Sequence, residues 1–214
     1  MSTKMHPFWR SLGLVVRTVG LWALLCTSAS ISLAGYIDGY ITAGEYESWV
    51  TWSSNTQPLV VDGGGAAVIE MRNYSQLEVR STSIPDNGNW HTGGIRDIWL
   101  DDYSRLLYTG GITDLITLEK HATAILKGGC INTITCYQLS SPKHIDIYAL
   151  PGWSWISGDP SLGIQGKWWS GSPFSIEFDN NAGFAPVWTN INVIIPEPAT
   201  LIALSLGSLL ICKR

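Results

Sequence analysis

The chain has 214 residues, 17 of them acidic and 13 basic, for a net charge of −4. Five basic residues (Lys4, Arg10, Arg17, Lys213 and Arg214) sit in the two end segments, and between these eight basic residues face sixteen acidic ones, a net charge of −8. That balance excludes nucleic acid as a partner, because nucleic-acid binding needs a basic footprint, and it suits a soluble exported domain.

The first element is a leader. Lys4, His6, Arg10 and Arg17 give a basic start, Val19 to Cys26 is apolar, and Ser32-Leu33-Ala34 sets small residues at both recognition positions of a signal peptidase site. This pattern is that of a secretory signal peptide, forming a signal helix over 1–34 and cleaved after Ala34, and it stays outside the fold argument. Cys26 is preceded by Leu25, which does not suit a lipoprotein site.

The segment 35–62 follows, and its stretch from Tyr36 to Trp52 reads as an N-terminal strand pair able to cap an open sheet end. A repeat occupies 63–141. Gly93-Gly94, Gly110-Gly111 and Gly128-Gly129 recur at spacings of 17 and 18, and the residues after them match. Ile95 aligns with Ile112 and Asp97 with Asp114, with one residue inserted near the middle of the second unit. An earlier copy follows Gly64-Gly65, and a partial copy follows Gly129. The glycines permit positive φ at a turn where a side chain would clash. Each unit carries two alternating apolar stretches separated by a polar corner. Self-similarity at so short a period predicts stacked units of a β-solenoid, each burying one strand face against the next. The competing architecture is a β-sandwich with similar hairpins.

Region 142–195 also reads as strands: His144–Tyr148, Gly163–Trp169, Phe174–Phe178 and Trp188–Ile195, with a turn at Ser170–Pro173. No convincing helical period occurs between Gly35 and Pro196, so the fold class is all-β, a short β-solenoid with a strand-rich C-terminal cap. Two cysteines remain in the body. An exported chain can bridge Cys130 and Cys136, but they are six apart, and on one extended strand their Cα atoms are about 20 Å apart, so a disulfide needs a turn between them where Ile131–Thr135 reads as strand. Two separate buried thiols are expected.

The last segment, 196–214, has three parts. Pro196-Glu197-Pro198 is a signature whose prolines prevent a helix from running through it. An apolar run carrying Leu201, Leu204, Leu206, Leu209 and Leu210 comes next, followed by Lys213-Arg214. The run is about 14 residues, short of the roughly 20 of a full span, and crosses a bilayer only with its flanks and local thinning. The terminal pair then stays cytoplasmic. Signature, span and basic end together resemble the PEP-CTERM sorting tail, a domain that has also carried an ice-binding label. The resemblance covers about one tenth of the chain. It implies an exosortase as processing partner, membrane attachment through a C-terminal transmembrane helix, and delivery to the cell surface or matrix, often beside exopolysaccharide. The glycine-paired repeat is similar to that of β-helical surface proteins with such tails, which implies architecture only.

Chemistry-bearing residues do not assemble into a catalytic pattern, and no cofactor, metal or catalytic residue is assigned. Asp101-Asp102 sit at a polar corner, and adjacent carboxylates on an extended chain diverge. Glu119-Lys120 hold the same place in the next unit, which marks a solvated corner. Glu177 and Asp179 share a strand face at about 7 Å, a separation compatible with glycoside hydrolysis. His91, His121 and His144 are scattered, and His121 takes the place that Tyr74 and Tyr103 hold in other units. Val61–Gly65 lacks the lysine of a phosphate loop. Tryptophan is the anomaly, with eleven in the chain. Trp153, Trp155, Trp168 and Trp169 are candidates to stack on sugar faces, against the alternative that they form core and cap. Thr109, Thr113, Thr117, Thr123, Thr133 and Thr135 form no regular rank for ice. The expectation is an exported, non-catalytic surface or matrix protein, processed by signal peptidase and exosortase. The alternatives are a polysaccharide- or ice-binding module and a glycan-active enzyme.

Overall fold

The computed structural model describes residues 39–83, 94–139, 144–180 and 185–196. The expected leader through Ala34, the residues His91 and Gly93, and the tail from Glu197 onward lie outside them. The described residues are all-β, with short 3-10 turns at Ile156–Gly158 and Val187–Asn190. One seven-stranded sheet holds β1 (Tyr40–Thr42), β3 (Leu59–Asp62), β5 (Gln76–Ser81), β7 (Arg105–Tyr108), β9 (Thr123–Leu126), β11 (Ile145–Tyr148) and β15 (Ile191–Ile194), in that order. The other, eight-stranded, runs β12 (Ser154–Trp155), β13 (Gly163–Lys167), β14 (Pro173–Asp179), β10 (Cys130–Tyr137), β8 (Ile112–Glu119), β6 (Ile95–Leu100), β4 (Gly65–Met71) and β2 (Tyr46–Trp52). From β1 to β11 the chain alternates between the sheets, and neighbours within each sheet pair in parallel. Each circuit adds one strand to each sheet.

Register converts the repeat into rows of like residues. In the eight-stranded sheet Val50, Ile69, Ile98, Ile116, Ile134 and Phe178 lie side by side, as do Met71, Leu100, Leu118 and Cys136. In the other sheet Leu59, Leu77, Leu106, Ala124 and Ile145 form one row, and Val61, Val79, Tyr108, Leu126 and Ile147 form the next. All are buried. No single strand pair could bury a face so completely, so each circuit depends on its neighbours for a core.

Three expectations change at this level. The N-terminal strands do not pair with one another: β1 joins β3 and β2 joins β4, because the chain changes sheet between them. The inserted residue of the second unit lies at the corner before β8, not in mid-unit. Ile95 faces Thr113, not Ile112, and Asp97 faces Leu115. The Ile112 N–H is held there by Thr82 Oγ1 at 2.9 Å, and Thr113 turns inward to share a 2.9 Å hydrogen bond with Tyr108 Oη across the core. The cysteines do not share a fate either. Inward residues of β10 fall at Ile131, Ile134 and Cys136, a step of three and then two, which breaks strict alternation. Cys130 is therefore exposed and Cys136 buried, both as free thiols, and burial pushes the Cys136 thiol up to about 12.

Two corners join the sheets. At one, Gly94, Gly111 and Gly129 have φ of +75°, +94° and +83°. In the two pairs that are described in full, Gly110-Gly111 and Gly128-Gly129, only the second glycine uses positive φ. The earlier copy uses Gly63 for this, ahead of Gly64-Gly65. At the other corner Asn73, Asp102, Lys120 and Gln138 take φ between +48° and +59°. The first circuit differs from the others. Glu47 continues the row of Ala66, Ile95, Thr113 and Ile131, and Trp52 continues that of Met71. A charged side chain in a core-facing row of an edge strand disfavours further pairing.

Candidate functional site

The four tryptophans proposed to bind sugar separate into different settings. Trp168 is fully buried, its ring against Phe174 at 4.3 Å between centroids and its Nε1–H donating to the Gly129 carbonyl at 3.0 Å. It is core, and burial removes it from any stacking surface. Trp169, the next residue, points the other way. It meets Tyr148 edge-on at 4.9 Å and donates to the Ile194 carbonyl at 3.2 Å, and Lys127 Nζ lies 4.7 Å from the Tyr148 ring. Trp153 and Trp155 are half-buried on the β12 side and meet edge-on at 5.2 Å, and Trp155 also meets Phe178. A cleft of about 460 Å³ runs beside them, lined by Pro151, Ser154, Gln165, Lys167 and Phe174 among others. Antiparallel pairing of β12, β13 and β14 builds this surface, with its hairpin turn at Ser170–Pro173.

Glu177 and Asp179 do lie on the outward face of β14, since Phe174, Ile176 and Phe178 between and before them are buried. Their neighbours in register are Thr133 and Thr135, and Thr135 Oγ1 donates to the Asp179 carbonyl at 3.1 Å. The clefts nearest this sheet end are lined by other residues.

The polar corner is structural. Lys120 Nζ bridges Asp101 and Asp102, each at 2.8 Å, so one circuit is tied to the next. Asp102 also accepts the Asn73 N–H at 3.3 Å. Lys120 chiefly, with Asn73, holds the Asp102 carboxyl below the usual carboxylate range. The next position carries a ring in three successive circuits. Tyr74 stacks on Tyr103 at 4.8 Å and 9°, and Tyr103 on His121 at 4.6 Å and 7°. His121 thus occupies the tyrosine position through packing, as its place in the repeat predicts. His144 is separate and buried, its Nδ1 within 2.7 Å of the Ala122 carbonyl. Of the threonines, Thr117 and Thr135 are adjacent in register while Thr113 points inward, so no flat rank spans the sheet. Among the described residues no group of three or more histidines, cysteines or carboxylates is arranged to hold a metal ion.

The aromatic pair that sequence reasoning missed is on the outer face of the eight-stranded sheet. Trp49 of β2 and Trp99 of β6 meet edge-on, with 6.0 Å between centroids and 80° between planes, and are 52% and 40% exposed. Trp49 Nε1–H donates to Thr51 Oγ1, which donates to Glu70 Oε2, whose other oxygen is clamped by Arg72. The signal was present in each strand. Both tryptophans lie next to a core aliphatic (Val50; Ile98 and Leu100), so alternation turns them outward.

Among the described residues no helix is long and apolar enough to cross a membrane. No family model, curated protein or solved structure matches the chain.

Proposed function

We propose that this chain is an exported, non-catalytic surface or extracellular-matrix protein, sorted through a tail of the PEP-CTERM type and processed by signal peptidase and an exosortase. One observation carries the reading: a leader ending in Ser32-Leu33-Ala34 and a tail of Pro196-Glu197-Pro198, apolar run and Lys213-Arg214 occur in order on one chain. The body between them is a short β-solenoid. Parallel in-register stacking, with an 18-residue advance from Ile95 to Thr113 and from Thr113 to Ile131, supports this architecture over a sandwich of hairpins. A structural rather than catalytic role is supported by the engagement of Asp101 and Asp102 in ion pairs between circuits.

Intact-mass measurement on protein from membranes and from medium, with and without the exosortase, tests the reading. Loss of 1–34 and of everything past the signature, the latter only when the exosortase is present, is the expected result. A C-terminus that remains intact in the inner membrane in both strains would reduce the protein to a tail-anchored periplasmic one.

A further inference from the structure

We infer that the outer face of the eight-stranded sheet around Trp49 and Trp99 is a binding site for a neutral polysaccharide of pyranose rings with equatorial hydroxyls, such as a β-linked glucan or chitin. Two rows of outward side chains cross this sheet at right angles to its strands. One is Trp49, Val68, Asp97, Leu115, Thr133; the other is Thr51, Glu70, Trp99, Thr117, Thr135. The two indoles come from strands separated by β4 and lean together above it. Val68, outward on β4 and beside Trp49 in register, is only 3% exposed. Covering one valine does not require two tryptophans that each remain this open to solvent. Clustered exposed rings on one sheet face are the kind of apolar surface that serves ligand binding.

Ring geometry points to a stacked ligand. In the corner ladder the faces of Tyr103 are consumed by Tyr74 and His121. In the edge-on tryptophan pair one ring's edge meets the other's face, which leaves flat indole surface for a ligand. The Trp49 ring is fixed beforehand by the hydrogen-bonded chain through Thr51 and Glu70 to Arg72, so less freedom is lost on binding. Successive positions along each row repeat at the strand spacing, about 4.8 Å, close to the length of one pyranose ring. A sugar whose hydroxyls are all equatorial offers a C–H face to the indole and directs its hydroxyls sideways. The Arg72–Glu70 pair, with Glu70 beside Trp99 in register, and the Arg96–Asp97 pair, with Asp97 beside Val68, supply polar partners. No net positive charge draws a polyanion here: Arg72 and Arg96 are each paired with an acid of these rows, Glu70 and Asp97, and the far end of the same rows carries Glu177 and Asp179. This site is distinct from the Trp153–Trp155 surface and does not depend on how the tail is processed.

Retention of the full chain, in detergent, on microcrystalline cellulose, chitin and an alginate gel tests the inference. We expect retention on a neutral polymer and not on alginate. Trp49→Leu and Trp99→Leu, which keep an apolar cover over Val68, should each weaken it on the order of tenfold, as other ring stacking does. Trp169→Leu should leave it unchanged. Circular dichroism and a thermal transition like that of the parent chain certify each variant as folded. Absence of retention on both neutral polymers overturns the inference. So does retention that survives in the folded double variant, that prefers alginate, or that is lost in Trp169→Leu. Sorting is read separately by intact mass, so failure of one leaves the other standing.

Discussion

The two corners of each circuit meet the same demand, a reversal into positive φ, with different residues. One uses glycine; the other uses asparagine, aspartate, lysine and glutamine. Torsion angle is part of the reason. The glycines lie at +75° to +94°, beyond the narrow left-handed well of L-residues, while the second corner lies within or close to that well. Space is the rest. A Cβ on Gly128 would collide with the Thr109 carbonyl oxygen of the previous circuit, and one on Gly129 would lie 2.6 Å from the Tyr108 ring. The second corner opens to solvent, and its side chains join circuits by ion pairs instead. A positive φ alone does not demand glycine; a positive φ against a neighbouring backbone does.

The sharpest way to break this comparison is to add one methyl group at the closed corner. Gly129→Ala should destabilise by about 3 kcal/mol or more, through overpacking and a forbidden φ together. At the open corner Gln138→Gly should change stability by less than about 1 kcal/mol in either direction. Both are read by denaturant unfolding, and equal losses at the two sites would remove the distinction.

The next effect concerns the hydrogen bond beside the closed corner. Tyr108→Phe strands the fully buried Thr113 hydroxyl, and should cost roughly 1–3 kcal/mol. Adding Thr113→Val should restore most of that loss, and a double-mutant cycle that is simply additive would show the bond to be inert.

A smaller effect belongs to the ion pairs of the open corner. The folded Asp102 carboxyl titrates below its ordinary value. Its contribution is therefore present above the ordinary carboxylate range and is lost as pH falls through the lowered folded value. Lys120→Met should flatten that part of the acid limb, and high salt should shrink it, since the pair is exposed. The smallest effect is Ser104→Ala. The Ser75 and Ser104 hydroxyls are buried without a hydrogen-bond partner, and Ala122 occupies the equivalent place one circuit on. This change should leave the unfolding midpoint unmoved or raise it slightly; a clear fall would reveal a hidden partner.

The strands and the repeat were legible because glycine pairs and alternating aliphatics obey local rules. Gly111 and Gly129 announced the corners, and the place of His121 among tyrosines announced a packed row. What escaped depended on one-residue details. The shift that sets Ile95 opposite Thr113 is invisible until Tyr108, from the other sheet, supplies a partner for the threonine. The same irregular step in β10 separated Cys130 from Cys136. The adjacent Trp168 and Trp169 looked alike in sequence, but alternation sent one into the core and the other outward. Trp49 and Trp99 were overlooked because they are fifty residues apart, and only register across β4 brings their rings together.

Where stacking proceeds at an even advance, as from Ile95 through Thr113 to Ile131, the length of the body changes in whole steps. Eighteen residues separate Thr113 from Ile131, its partner one strand on. Duplicating such a stretch would lengthen both sheets by about 4.8 Å and leave every existing contact in place except at the junction. Glu47, standing where another core residue would otherwise continue the row, closes the count at that end. Size in such a molecule can therefore change by gene duplication in steps of one circuit.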